Sequence, residues 1–218
     1  MKRTASILLV MVFLLFTVFF SDGWIKSSAE GTDAVSSATL NIQTLPEIST
    51  KDGRTIIVVY FSTNDTIRAV ALTAADVLDA DVFEIVPVEP YTPDDLNYHQ
   101  PGNRVGREQW KGERPEIVSL PDNLEQYDTI LLGYPIWGGQ APNILHTFFE
   151  NVDIHHATIL PFCTSNIVSP GTSATNLAAL TDETVTWLPA QRVANNSSGE
   201  DLYQWAQTLL EVLTHKKY

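Results

Sequence analysis

From about position 55 onward the chain alternates short apolar runs with longer stretches whose apolar residues recur every third or fourth position. Thr55–Phe61 is β-branched and too short for a helix, and it breaks into the polar turn that begins at Ser62. Val70, Ala71, Ala74, Val77 and Leu78 then keep helical spacing, so the pattern predicts a strand over 55–61 and a helix over 66–80. Asp81–Val86 alternates and predicts a second strand, ended by Pro87 and Pro90. Tyr91–Pro115 is polar and rich in Pro and Gly, with short helices expected from Asp94 and around Val105–Trp110. A connection this long with little regular structure is either a lid or a surface crossover.

The apolar run Asp128–Tyr134 predicts a fully buried third strand, and Pro142 sits where the first turn of the next helix, Asn143–Glu150, begins. Ala157–Cys163 predicts a fourth strand, Ser173–Leu180 a short helix and Thr184–Leu188 a last strand. Glu200–Leu213 closes the chain as an amphipathic helix carrying Leu202, Trp205, Ala206, Leu209, Leu210 and Leu213 on one face. Strand and helix patterns that alternate in this way predict a doubly wound α/β fold, with a five-stranded parallel sheet and helices on both faces.

In such a sheet a ligand lies outside the carboxyl ends of the strands, where the strand order reverses. Three loops are expected there. Ser62–Arg68 offers hydroxyls and free amides at a helix amino terminus, which suits either a phosphate cradle or a plain cap by Asn64 or Asp65. Tyr134–Gly139 places Trp137 beside Gly138 and Gly139, either to stack on a planar ring or to pack over the sheet edge. Thr164–Gly171 is polar and flexible, as a ligand loop or an ordinary surface loop would be.

Composition narrows the chemistry. A net charge of −13 argues against nucleic acid as a partner, because a phosphate backbone needs a basic surface. The single cysteine, Cys163, excludes an intrachain disulfide and a multi-cysteine metal site, and its apolar surroundings predict a buried small hydrophobe. The five histidines have no metal-ligand spacing beyond the adjacent pair His155 and His156. At the amino terminus, Lys2 and Arg3 precede an apolar run over 7–20, and Ser27-Ser28-Ala29 offers a cleavage site. Residues 1–29 therefore predict a signal peptide or membrane anchor, 30–53 a flexible tether and 54–218 the folded domain.

The segments Val58–Ser62, Asp81–Thr92, Asp95–Ile117, Tyr127–Pro142 and Ile159–Leu177 together resemble the flavodoxin-like family over about Thr55–Leu213. The resemblance implies strand order 2-1-3-4-5, noncovalently bound FMN and electron transfer to a redox partner protein or small acceptor. It also implies a site. The family's Ser-x-Thr-Gly-Asn-Thr loop falls on Ser62, Thr63, Asn64, Asp65, Thr66 and Ile67, keeping Ser62 alone when no gap is allowed. With a one-residue deletion the hydroxyls of Thr63 and Thr66 match and Asn64 takes the glycine's left-handed turn. Either alignment sets the Asp65 carboxylate where a phosphate sits, with Arg68 in the next turn to offset it. Pro135, Ile136, Trp137 and Gly138 match the segment along the isoalloxazine ring, and Thr164 and Ser165 match the start of the third loop. The resemblance leaves two alternatives to exported electron transfer: an NAD(P)H-dependent FMN or quinone reductase, or a scaffold that has lost FMN.

Overall fold

The computed structural model describes residues 55–97, 100, 102–164 and 170–215. The expected leader or anchor over 1–29, the tether over 30–53 and the site residue Ser165 lie outside the described residues. Among the described residues no helix is long and apolar enough to cross a membrane.

The sheet is built outward from β1 (Ile56–Tyr60), whose five residues are all buried. Successive strand residues point to opposite faces, so Ile57, Val59 and Phe61 enter one core and Ile56, Val58 and Tyr60 the other. A strand apolar at every position is stable only where both faces are covered, each buried Val or Ile contributing about 1.5–3 kcal/mol. β1 lies parallel between β2 (Asp81–Glu84) and β3 (Thr129–Pro135), with Tyr60 opposite Glu84 on one side and Gly133 on the other. β3 pairs in turn with β4 (Thr158–Thr164), which gives the parallel order β2-β1-β3-β4-β5.

The expected last strand over 184–188 is broken in two. β5 (Thr186–Trp187) pairs with Thr158 and Ile159, and β6 (Gln191–Val193) pairs with Phe162–Thr164. Pro189 lies in the gap and has no N–H to donate, so the ladder is interrupted there and resumes two residues later.

α1 (Asp65–Leu78) turns Ile67, Val70, Ala71, Ala74 and Leu78 to the sheet. α5 (Gly199–His215) packs on the same face through Leu202, Ala206 and Leu209. The opposite face is covered by α3 (Asn143–Glu150) with Ile144, Leu145 and Phe148, and by Leu177 of α4 (Ser173–Ala178).

The 87–118 connection is an ordered excursion. Its stems pair antiparallel, Val88 N donating to Glu116 O at 2.9 Å and Val118 N to Val86 O at 2.9 Å. Between the stems lies α2 (Arg104–Lys111), capped by the Asn103 side chain and ended by Gly112 at φ 71°. The helix expected from Asp94 is a single turn instead. The Asp95 carboxylate accepts from both the N–H and the hydroxyl of Thr92 at 2.8 Å, which satisfies the backbone locally and leaves no ladder to propagate.

Gly133 sets how closely β3 packs on this core. A Cβ there would lie 2.4 Å from the Phe162 ring, itself held edge-on against Trp205 at 5.3 Å. Gly133→Ala is therefore expected to lower stability by about 1–3 kcal/mol in urea unfolding. The Gly133→Ala, Phe162→Leu double variant should recover part of that loss.

Candidate functional site

The carboxyl ends of β1, β3 and β4 reach one edge in register. Phe61 N donates to Gly133 O at 2.9 Å, and Pro135 lies opposite Thr164. The strand order reverses between β1 and β3, so the loops after these strands flank the switch point.

The first loop closes on itself. Asn64 has φ −150° and ψ 175°, and its side-chain oxygen accepts from Thr66 N at 3.0 Å, an N-cap for α1. The left-handed turn expected of Asn64 is not formed, because an N-cap residue needs extended backbone. The Ser62 hydroxyl donates to Asn64 O, and Asn64 N reaches back to Ser62 Oγ at 3.4 Å. Thr63 is half-exposed and Asp65 exposed at the first position of α1, while Ile67, expected among the cofactor contacts, buries its side chain at 1% exposure in the α1–sheet core. Helical spacing explains that correction: Ile67, Val70, Ala71 and Ala74 share one face.

Arg68 is engaged by Glu84 of β2 at 2.6 Å, and Tyr60 Oη donates to the other Glu84 oxygen at 3.1 Å. Burial and the Glu84 carboxylate hold the Tyr60 phenol above its ordinary range. Between this pair and the loop lies a cleft of about 270 Å³, lined by Ser62, Thr63, Asp65, Arg68, Glu84 and Tyr91 among others. Glu84 was not visible as a site residue from its own segment. The parallel register places it beside the end of β1.

The second loop is a tight hairpin. Trp137 N donates to Gln140 O at 2.9 Å and Gln140 N to Trp137 O at 3.0 Å, around Gly138 at φ 56° and Gly139 at φ 82°. Two consecutive left-handed residues are the geometry a Gly-Gly pair supplies without strain. No atom would lie within 4 Å of a Cβ on either glycine, so this backbone edge is open. Pro135 and Ile136 are half-buried beside it.

Trp137 is a wall of the site rather than an open stacking platform. It is 5% exposed, edge-on to Phe61 at 5.5 Å and to Tyr91 at 5.2 Å. The sequence could not show that Tyr91 arrives from 46 positions upstream to cover it. The second loop is tied to the start of α4: Gln140 donates to Thr172 Oγ1 at 3.2 Å and accepts from Asn176 at 2.7 Å. Beneath them the Tyr134 phenol meets Ser173 Oγ at 3.1 Å, and burial pushes its pKa up to about 12. Thr164 is buried at 7% exposure.

The excursion is ordered from within by a buried ion pair on α2. Arg104 Nε donates to Glu108 Oε1 at 2.7 Å, and both side chains are nearly enclosed. Arg104 also donates to Glu89 O at 2.8 Å, and its guanidinium lies 4.0 Å over the Tyr91 ring. Tyr91 Oη donates to Glu108 Oε2 at 2.7 Å. Gln109 donates to Ala141 O at 3.2 Å and Asn143 to Glu108 O, joining α2 to the residue after the second loop and to α3, and Asn143 also reaches Glu113 O at 3.1 Å. The signal available in the sequence was an Arg and a Glu four residues apart on a short helix, which ordinarily marks a solvated face.

Among the described residues no group of three or more His, Cys, Asp or Glu side chains is placed to hold a metal. Cys163 is fully buried, and burial pushes its thiol up to about 11.

A family model described as flavodoxin matches residues 55–209. The fold is similar to that of a protein assigned as a flavoprotein from Bacteroides uniformis, at 32% identity and TM-score 0.65 over 71% of this chain and 99% of that one. A second such protein, from Bacteroides eggerthii, gives 31% identity and TM-score 0.63 over 72% of this chain and 98% of that one. A flavoprotein from Lactobacillus acidophilus, solved in complex with FMN, shares the fold at 17% identity and TM-score 0.52 over 64% of this chain and 93% of that one. No curated protein matches the chain.

Glu108→Ala leaves the Arg104 charge buried without its partner and is expected to cost about 3–5 kcal/mol. Urea unfolding measures that loss, and limited proteolysis should show new cleavage within 88–118. With a pKa of about 11, the Cys163 thiol is only about one part in a thousand thiolate at pH 8. It should stay unreactive to a thiol reagent in the native protein and react fully once the chain is unfolded.

Proposed function

On the premise that this chain belongs to the flavodoxin family, we propose that it binds FMN and passes electrons between redox partners outside the cytoplasm. The observation that carries the reading is the open Gly138–Gly139 edge beside the switch point, walled by Trp137 and Ile136 and tied through Gln140 to the start of α4. A flat aromatic ligand suits such an edge, because glycine backbone allows close approach and the apolar wall excludes water. FMN supplies one- and two-electron transfer when bound.

The residues around that edge bind, orient and tune. Pro135 and Ile136 present half-buried apolar surface, and the enclosed Trp137 fixes the position of the turn. Tyr91 covers Trp137 and also lines the cleft at the first loop, so the ordered excursion shields one side from water. The fit is close at the ring end and poorer at the phosphate end, where Asp65 and Glu84 stand beside the loop. Their negative charge opposes further negative charge nearby and holds the midpoint potential low. Placement outside the cytoplasm is supported by Lys2, Arg3 and the apolar run over 7–20, which make a leader or a membrane tether.

One observation favours a second reading, an NAD(P)H-dependent FMN or quinone reductase. Trp110 is 85% exposed on α2, beside Arg107 and Lys111 in a groove of about 360 Å³. Aromatic and cationic groups together suit a planar anionic substrate. NADPH oxidation with a quinone acceptor separates the two readings, since an electron carrier without a reductase site shows none.

The absorbance spectrum of the purified protein, as isolated and after FMN addition, tests the main reading. Flavin bands that shift and lose fluorescence on binding are expected. Their absence at saturating FMN rejects it.

A further inference from the structure

We infer that the first loop of this protein does not grip a phosphate, so that its site takes flavins by ring and side chain and binds riboflavin nearly as well as FMN. The inference rests on the flavin reading of the site and concerns only what happens at the end away from the ring.

Three features of the loop point the same way. The first is hydrogen bonding. A phosphate at a helix amino terminus is held by free backbone N–H groups and nearby hydroxyls. Here the Thr66 N–H is taken by the Asn64 side chain at 3.0 Å, and the Ser62 hydroxyl is directed to Asn64 O. The chain thus supplies its own acceptor where the phosphate oxygen would sit.

The second is backbone shape. Backbone N–H groups converge on an anion when right-handed and left-handed residues alternate. Among the described residues the positive-φ residues are Asp79, Asn123, His156 and five glycines from 102 onward, so none falls within the loop. Asn64, the residue aligned with the family's glycine, is extended at φ −150°, and Asp65 is already helical. Its conformation follows from its role as the cap.

The third is charge. Asp65 is exposed at the first position of α1, and Glu84 lines the same cleft from β2. The cation within reach is Arg68, and it is held by Glu84 at 2.6 Å. Two carboxylates against one guanidinium leave the cleft net negative. A phosphate monoester carries about −1.5 to −2 charges at neutral pH and is repelled there. Riboflavin has no such group and meets no such penalty. A chain that crosses a membrane before it takes up its ligand selects among whatever free flavins it meets, and a loop indifferent to the phosphate accepts either form.

Fluorescence-quenching titrations of the purified wild-type domain with FMN and with riboflavin, at pH 8 and low salt, test the inference. The two dissociation constants should lie within about tenfold of each other, a difference of about 1.4 kcal/mol. Asp65→Asn with Glu84→Gln removes both carboxylates and frees Arg68. That variant should bind FMN at least about tenfold more tightly than wild type while its riboflavin affinity moves far less, with urea unfolding as the control for folding; an FMN affinity no higher than wild type overturns the charge argument. FMN binding about a hundredfold or more tighter than riboflavin in the wild type overturns the inference but leaves the flavin reading standing. If the wild type quenches neither flavin, the flavin reading itself falls, and the inference with it.

Discussion

The burial of β1 on both faces is the constraint from which the rest of the structure follows. Ile56 through Phe61 alternate between two separate cores, so the strand must be covered above and below and flanked on both edges. Parallel strands with short connections meet that demand only by crossing over through helices, which fixes α1 and α5 on one side and α3 on the other. The same arrangement brings the ends of β1, β3 and β4 to one edge. The site is thus a consequence of core packing rather than a separate structure, and its polar loops emerge where the buried strands stop.

The excursion between β2 and β3 carries a second level of organisation. Its ion pair is buried, and such pairs are weak sources of stability because both charges lose their water. What the pair accomplishes here is position. Arg104 lies over the Tyr91 ring, Glu108 holds the Tyr91 hydroxyl, and Tyr91 is thereby fixed against Trp137. A residue far upstream becomes part of the wall around the second loop, and α2 is joined to α3 through Asn143. The placement of the glycine turn depends on a polar cluster that, among the described residues, meets it through Ala141 O and the Trp137 ring.

The two ends of the site are built on opposite principles. The Trp137–Gln140 turn leaves its backbone open and without close neighbours, while the Ser62–Thr66 loop satisfies its own donors. An open edge favours a ligand because desolvation is slight and nothing has to be displaced. A self-capped helix end disfavours an anion, because each hydrogen bond it makes must replace one already formed. Recognition is therefore weighted toward the ring end, and the charges of Asp65 and Glu84 add to that bias.

Periodicity and turn chemistry alone determined the α/β class, the order of elements and nearly all their limits, because apolar spacing is a local property. Asn143–Glu150, the core-facing residues of α5 and those of α1 other than Ile67 were legible from spacing alone. The first two candidate loops were legible too, since strand-to-helix connections of a doubly wound sheet share one edge. What the local pattern did not contain were events between distant segments. These are the break of the last strand at Pro189 opposite β4, the Arg68–Glu84 pair across the β1–β2 register, and the enclosure of Trp137 by Tyr91. The sequence determined which loops end beside the buried strands, though not that Glu84 and Tyr91 join them. Only the tertiary structure decided which of the side chains there remain free, because freedom depends on partners that arrive from elsewhere in the chain.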